Sequence, residues 1–447
     1  MYCINGYEFD SERLLLFKDT VSRDIISKVC EDYDVENCDI PIDLQLNPDD
    51  MSMRTIAVNS AGICLSFNCN LRCQYCGYSS DENNIAILTL EDVKVFVRDI
   101  VKRRTIKKLI TKKNDPLEVE FTGGGEPTYD WKLFCGSIKY IKTLCEENDI
   151  PLRIRLTTNG MLSDEQVDFI AENVNHVMVS YDGLPNVQNV NRISIYEKGS
   201  SERVENTIRR LTLKGVPINI RSTVWQDDFD KMEDMYRYIC SLVEPRRDVV
   251  WSLYPVLFEG RAVKRIQKQK EMKYTDFFAA CLKLMNNKAI KDGDSGVRID
   301  FSFFNSSVYP FFCGAHRATK PWLLPDRSIV TCIESKDDKT FIGVIENNKV
   351  NYYEKYKDSL LSIAQEKYYA CRECIAYATC KGGCPIWHLR TDDKVQDPLE
   401  CKLQKEYWKN VVASITVGEY SMGWQTIPIE VNGVVMVDCY KLVKERE

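Results

Sequence analysis

The chain has 447 residues, 44% of them hydrophobic, and a formal net charge of -6 at pH 7, which suits one large α/β domain and a smaller one with ordinary cores. The acidic balance argues against a general nucleic-acid binder, and no apolar run approaches the roughly 20 residues that cross a bilayer. The N-terminus, MYCINGYEFDSERLLLF, has acids where a secretion signal has a basic leader. The expectation is therefore a cytoplasmic protein without a membrane or nucleic-acid partner, whose 19 cysteines stay reduced and whose close cysteine spacings point to metal.

In chain order, the first 60 residues mix a hairpin signal (YCINGYEF, 2–9) with a helical signal around 18–32. GICLSFN (62–68) reads as a buried strand, and TLEDVKVFVRDIVKRR (89–104) as a helix with Thr89 as N-cap and Glu91 and Asp92 in its first turn. KRRTIKKLITKKN (102–114) carries seven Lys and Arg and no acid. It reads as a solvated helix face, with docking of an acidic peptide leader as the alternative. LEVEFTG (117–123) is a strand and WKLFCGSIKYIKTLCEEN (131–148) a helix.

Strands follow near 153–158, 176–182, 218–224 and 249–256, with helices near 164–173, 201–214 and 229–243. Six strands with intervening helices predict a parallel sheet with right-handed crossovers, buried on both faces and carrying its site at the strands' C-terminal ends. After about residue 270 a helical stretch (EMKYTDFFAACLKLMNNK) leads into loop-rich sequence dense in cysteine, read as a second domain.

The segment CNLRCQYC (69–76) puts Cys69, Cys73 and Cys76 on a loop directly behind the first strand. Three thiolates suit an iron-sulfur cubane with one iron left open; zinc or three unrelated buried thiols are the alternatives. The C-x3-C-x2-C spacing with an aromatic at Tyr75 resembles the radical S-adenosylmethionine (radical SAM) superfamily. That resemblance implies a 4Fe-4S cluster whose open iron chelates S-adenosyl-L-methionine (AdoMet) and cleaves it to a 5'-deoxyadenosyl radical.

TGGGEP (122–127) is similar to the family's GGEP motif, so the resemblance places Gly124, Gly125, Glu126 and Pro127 on the AdoMet amino group. Glycines let backbone carbonyls approach an ammonium, and a plain tight turn is the bland alternative. LTTNG (156–160) and VSYDG (179–183) also end strands, and in similar enzymes this region meets the cofactor's ribose and carboxylate, so the resemblance nominates Asn159, Ser180 and Asp182. Arg192 and Arg221 are possible partners of its carboxylate, with structural ion pairing as the alternative.

Downstream, CRECIAYATCKGGC (371–384), with Cys401 after it and Cys313 and Cys332 before it, resembles the SPASM extension of radical SAM enzymes. The implied fold is a partial (β/α)6 TIM-like barrel over 61–262, a bridge over 263–312, a SPASM domain over 313–410 and a tail over 411–447, preceded by a segment over 1–60 whose strands could pair with an extended peptide. LYPVLFEGRA (253–262) resembles the segment that leaves the barrel. By the family's crossed pattern, Cys371, Cys374, Cys380 and Cys401 hold one auxiliary 4Fe-4S cluster, while Cys313, Cys332 and Cys384 hold another whose fourth ligand is open among His316, Cys281 and Glu334. The total is three clusters. The family's glycine five residues before the second SPASM cysteine is Arg327 here.

SPASM enzymes mostly act on peptides, which implies a ribosomally made precursor peptide as substrate, a flavodoxin- or ferredoxin-type electron donor, and an oxidative thioether or carbon-carbon crosslink as product. Formylglycine formation on a sulfatase, and radical oxidation of a small molecule, are the alternatives. Similar sulfatase maturases place an acid directly after the second SPASM cysteine. Ile333 stands there instead, and the nearest acid, Glu334, is the candidate catalytic base.

Overall fold

In the computed structural model of the chain, the described residues are 60–78, 86–244, 248–256, 260–262, 297–300, 320–335, 338–353 and 382–390, with isolated positions between 276 and 371 and short strands near either end. They fall into two compact units. One comprises Met1–Arg54, Phe303–Arg317 and Lys355–Glu447, the other Thr55–Ser302 and Ala318–Glu354.

The second unit is built on a sheet whose parallel strands are β1 (Ser60–Ile63), β2 (Leu117–Phe121), β3 (Leu152–Thr158), β4 (His176–Ser180), β5 (Ile218–Val224) and β6 (Val249–Pro255). They lie side by side in chain order, as right-handed strand-helix-strand crossovers require. Two further parallel strands flank these six: β7 (Val297–Asp300) pairs with β6, and β8 (Trp322–Leu323) pairs with β1. Beyond β8 the sheet turns antiparallel through β9 (Ser328–Val330), β10 (Phe341–Glu346) and β11 (Lys349–Tyr352). This is the parallel α/β sheet expected from the alternation, in the strand order the resemblance implied for a partial barrel, widened at both edges.

One expectation needs correcting: the strands are not uniformly apolar. β2 and β5 bury every second residue and leave the others half-buried. The buried face packs on the helices, as where Phe121 meets Phe134 edge-on at 5.3 Å. The opposite face carries Glu120, Arg155, Ser180, Arg221 and Thr223, all half-buried. A barrel interior that must hold a polar ligand needs this alternation.

The helices start where short polar side chains can satisfy the first free N–H groups. Thr89 caps α1 (Leu90–Thr111) in a reciprocal box: its Oγ1 accepts from Asp92 N–H at 3.2 Å and its own N–H donates to Asp92 Oδ2 at 2.9 Å. Asp130 caps α2 (Trp131–Glu147), and Ser163 with Gln166 caps α3 (Asp164–Asn173). α1 runs through most of the basic stretch, where Arg103 pairs with Asp99 at 2.7 Å, Lys108 with Asp149 at 2.5 Å, and fully buried Arg104 donates to the Asp115 carbonyl. These contacts turn part of the charge inward.

α4 (Pro185–Asn191) has no counterpart among the expected elements; Pro185 opens it, where a missing N–H costs nothing. α5 (Ser201–Leu213) and α6 (Met232–Leu242) complete the layer. No helix among the described residues is long and apolar enough to cross a membrane. At the β8–β9 turn Arg327 adopts φ 70°, so the left-handed position expected of glycine persists with an arginine in it. That side chain makes a partly exposed ion pair to Asp92 at 2.9 Å, which offsets part of the cost of roughly 1–2 kcal/mol for a non-glycine residue there.

In the first unit, Tyr2–Ile4 pairs with Tyr7–Phe9 as the hairpin signal indicated. Near the other end, Ser421–Trp424 pairs with Tyr440–Val443 and Pro428–Val431 with Val434–Val437. A short helix, Pro385–Arg390, follows Gly382 and Gly383. The helix expected at 18–32, together with Cys374, Cys380, Cys401 and His316, lies outside the described residues.

Candidate active site

The stretch read as strand 62–68 leaves the sheet after Ile63 and becomes the loop that carries Cys69, Cys73 and Cys76. Three backbones hold that loop. On one side, Glu126 N–H donates to the Asn68 carbonyl at 2.8 Å. The fit needs Gly125, because a Cβ there would stand 2.2 Å from the Asn68 oxygen. On another, residues 191–195 run antiparallel to 70–74, with Arg72 N–H donating to the Ile193 carbonyl at 2.7 Å and Gln74 N–H to the Asn191 carbonyl at 2.8 Å. On the third, Arg261 N–H donates to the Cys76 carbonyl at 3.1 Å, and Gly260, at φ 52°, has no room for a Cβ against that same oxygen.

The three thiols are half-buried and close enough to influence one another. Burial pushes the Cys69 thiol up to about 12, with the Glu126 and Cys73 charges adding to the effect. Burial likewise takes Cys73 to about 11, against the pull of Arg192 and with Cys76 raising it. Leu71 N–H and the Asn159 amide both donate to Cys69 Sγ, at 3.4 and 3.6 Å. No three His, Cys, Asp or Glu side chains among the described residues stand in ready-made ligating geometry. The fit to a cluster therefore rests on the donor set: three adjoining thiols on one clamped loop, with thiol-directed N–H donors and a cation beside them, as iron-sulfur ligation uses.

Two buried carboxylates flank the loop. Glu126, 3% exposed, accepts at Oε1 from Thr128 N–H (3.1 Å), Thr128 Oγ1 (2.7 Å) and Thr158 Oγ1 (2.8 Å), and at Oε2 from Asn159 N–H (2.7 Å). Burial raises its pKa, and these bonds oppose the rise. Asp182, 1% exposed, accepts at Oδ1 from Arg192 Nε (3.1 Å) and Thr223 N–H (3.1 Å), and at Oδ2 from the Tyr75 hydroxyl and Asn191 Nδ2 (3.3 Å). A carboxylate offers about four lone-pair sites. Each acid thus holds four protein donors, evenly split at Asp182 and three to one at Glu126.

The other residues nominated by the sequence divide between the same region and elsewhere. Tyr75 lies 6.2 Å from the Trp225 ring and 5.1 Å from the Arg192 guanidinium; burial lifts its hydroxyl well above the usual range. Arg192 feels burial against its charge, but Asp182 and Tyr75 outweigh it and hold its pKa above normal. Asn159 Nδ2 also donates to Asn70 Oδ1 at 2.6 Å. Ser180 and Arg221 are in register across β4 and β5, and the Arg221 guanidinium lies 4.1 Å from the Tyr254 ring with no ion pair to a described residue.

Ile333 packs against the cluster of Cys64, Trp322, Leu324 and Val330. Exposed Glu334 accepts a hydrogen bond from the Tyr78 hydroxyl. Cys281 is buried. Cys313, Cys371 and Cys384 belong to the first unit and Cys332 to the second. Sequence reasoning missed Thr158, Thr223, Asn191 and Gln188, which hold the two acids; Pro185 was the one local signal for the helix that brings two of them.

Residues 63–239 match the family described as the Radical SAM superfamily. The chain is 24% identical over 361 residues to a cysteine-type anaerobic sulfatase-maturating enzyme of Clostridium perfringens, covering 77% of this chain and 93% of that protein. A Clostridium novyi enzyme of the same name is 22% identical over 78% of this chain and 94% of its own length. Among solved structures, anSMEcpe with bound AdoMet has a TM-score of 0.59 at 20% identity, covering 80% of this chain and 98% of that one. Streptococcus suis SuiB bound to its precursor peptide SuiA has 0.54 at 15%, covering 78% and 76%. The family match falls on the parallel strands that hold the three-cysteine loop, and residues 63–239 form a domain of the radical SAM superfamily.

Proposed function

We propose that this enzyme oxidises a side chain within a peptide or protein substrate. The observation that carries the reading is the reach of the likeness to the maturases: it extends past the radical SAM domain to 93% of the Clostridium perfringens enzyme. Relatives of this fold have been solved with peptides bound, anSMEcpe with the Kp18Cys peptide and SuiB with SuiA.

In this reading Cys69, Cys73 and Cys76 hold a 4Fe-4S cluster that, with AdoMet, supplies the radical that takes hydrogen from substrate carbon. The backbone of Gly124, Gly125 and Pro127 would take the cofactor's ammonium, Asn159 and Ser180 its sugar, and Arg221, which has no ion pair to a described residue, its carboxylate. Glu126 and Asp182 serve by holding these elements, each through four protein donors. Cys371, Cys374, Cys380 and Cys401 would hold one auxiliary cluster and Cys313, Cys332 and Cys384 another, as outlets for the product's electron. A flavodoxin- or ferredoxin-type protein would deliver the first electron.

Two products compete. A crosslink is favoured by Ile333, an apolar core contact where the resemblance to sulfatase maturases would imply an acid; formylglycine is favoured by the relatives themselves. Anaerobic reconstitution with AdoMet, a reductant and a cysteine-containing peptide separates them. A mass loss of two hydrogens, no aldehyde and a thiol closed to alkylation mark a thioether crosslink. A hydrazide-reactive aldehyde with loss of sulfur marks formylglycine. AdoMet cleavage that never modifies any peptide would refute the peptide reading.

A further inference from the structure

The segment after α4 pairs with the cysteine loop in a defined register. Arg72 bonds to Ile193 and Gln74 to Asn191, Ile195 N–H donates to the Asn70 carbonyl at 3.0 Å, and Leu71 stands opposite Ser194. That register sets Cys73 opposite Arg192. Arg192 is 6% exposed and is anchored by Asp182 through the 3.1 Å ion pair, while Thr223 N–H, Asn191 and the loop's own Tyr75 hold Asp182 in turn.

A turn could be pinned with neutral groups. A buried ion pair adds little or nothing to stability over an apolar contact of the same volume, so its charges invite another explanation. Arginine does not lose its proton inside a protein, and a fixed charge in a low-dielectric setting acts strongly on an electron added nearby.

We propose that the Asp182–Arg192 pair is a positioning device that holds Cys73 in place and sets the reduction potential of the cluster its loop binds. Arg192 favours the added electron, Asp182 opposes it, and the pair balances the two. No bond or proton changes hands. The proposal rests on Cys69, Cys73 and Cys76 being cluster ligands.

The test is a mediated anaerobic redox titration of the reconstituted full chain, following the paramagnetic signal that changes when AdoMet is added, with iron per chain measured in parallel. Arg192→Gln lowers the potential and Asp182→Asn raises it, each by about tenfold in the one-electron equilibrium, or about 59 mV. Arg192→Lys, which keeps the charge, stays near the wild-type value. Equal or same-direction shifts in the Gln and Asn variants, at wild-type iron content, would overturn the proposal, because a purely structural clamp changes occupancy without opposing the two signs. Should Arg192→Gln fail to fold, Asp182→Asn and Arg192→Lys still decide between an upward shift and none. Wild-type protein that takes up no iron at the loop would overturn the cluster reading and this proposal with it.

Discussion

Gly125→Ala puts the largest strain on the smallest change. The new Cβ would stand 2.2 Å from the Asn68 oxygen and 2.6 Å from both the Phe67 carbonyl carbon and the Ser66 oxygen. All three are backbone atoms and none can swing away. Favourable contact begins near 3.5 Å, so the glycine turn and the cysteine loop must part by about 1 Å. The 2.8 Å bond from Glu126 N–H to Asn68 then stretches beyond useful range. Overpacking of this kind costs roughly 1–3 kcal/mol, and a stranded buried partner adds about 1–3 kcal/mol. A displacement near 1 Å at a reacting centre slows chemistry by about 100-fold. The assay is a urea midpoint, iron per chain after reconstitution, and the rate of 5'-deoxyadenosine release from AdoMet. Gly136→Ala is the control, since its Cβ meets only the end of the Leu90 side chain at 3.3 Å and mid-helix alanine gains up to about 1 kcal/mol. Full iron, an unchanged midpoint and wild-type release in Gly125→Ala would refute the claim that this close approach holds the loop.

Other consequences follow from named contacts. Burial first, and Arg155 second, hold the His176 pKa below 6.5. The unfolded chain then takes up its proton earlier, and the histidine's contribution, full above pH 6.5, is lost as pH falls toward the folded value. His176→Gln should flatten that slope in urea midpoints measured on either side of pH 6.5; an unchanged slope assigns it to other groups. Thr89→Ala removes the capping box of α1 and should lower stability by about 1 kcal/mol in a thermal melt. Arg221→Gln should weaken AdoMet binding by about 10–100-fold in anaerobic equilibrium dialysis, the worth of charge-assisted bonds. Unchanged binding would remove Arg221 from the cofactor site.

The parallel order, the cap of α1 and the loop behind β1 were all legible, because each depends on neighbours a few residues away: Thr89 on Asp92, strand period on adjacent side chains. β8 was not, since two residues, Trp322 and Leu323, carry no period, and they pair with a strand about 260 residues earlier in the chain. The site was half legible. Spacing nominated the thiols, and resemblance to the family the glycine turn and the two acids, but whether an acid meets a ligand or its own protein depends on donors far away in sequence. Thr158 reaches Glu126 from 32 residues off and Thr223 reaches Asp182 from 41. Arg327 inverts the lesson: its identity argued against a glycine-type turn, and the backbone adopts one anyway, with the guanidinium paired to Asp92.

The two buried acids clarify how the loop comes to exist before any metal. A zinc finger borrows its fold from the metal, because nothing else joins its ligands. Here Asn68 is bonded to Glu126, Arg72 and Gln74 to the strand after α4, and Cys76 to Arg261, while Glu126 and Asp182 bind those partners to the ends of β3 and β5. The thiols between these anchors are held near one another although burial and Glu126 disfavour their ionisation at Cys69. Metal uptake at such a loop expels protons from thiols and adds little to folding, so chelation should strip the chemistry while leaving the sheet and its melting largely intact.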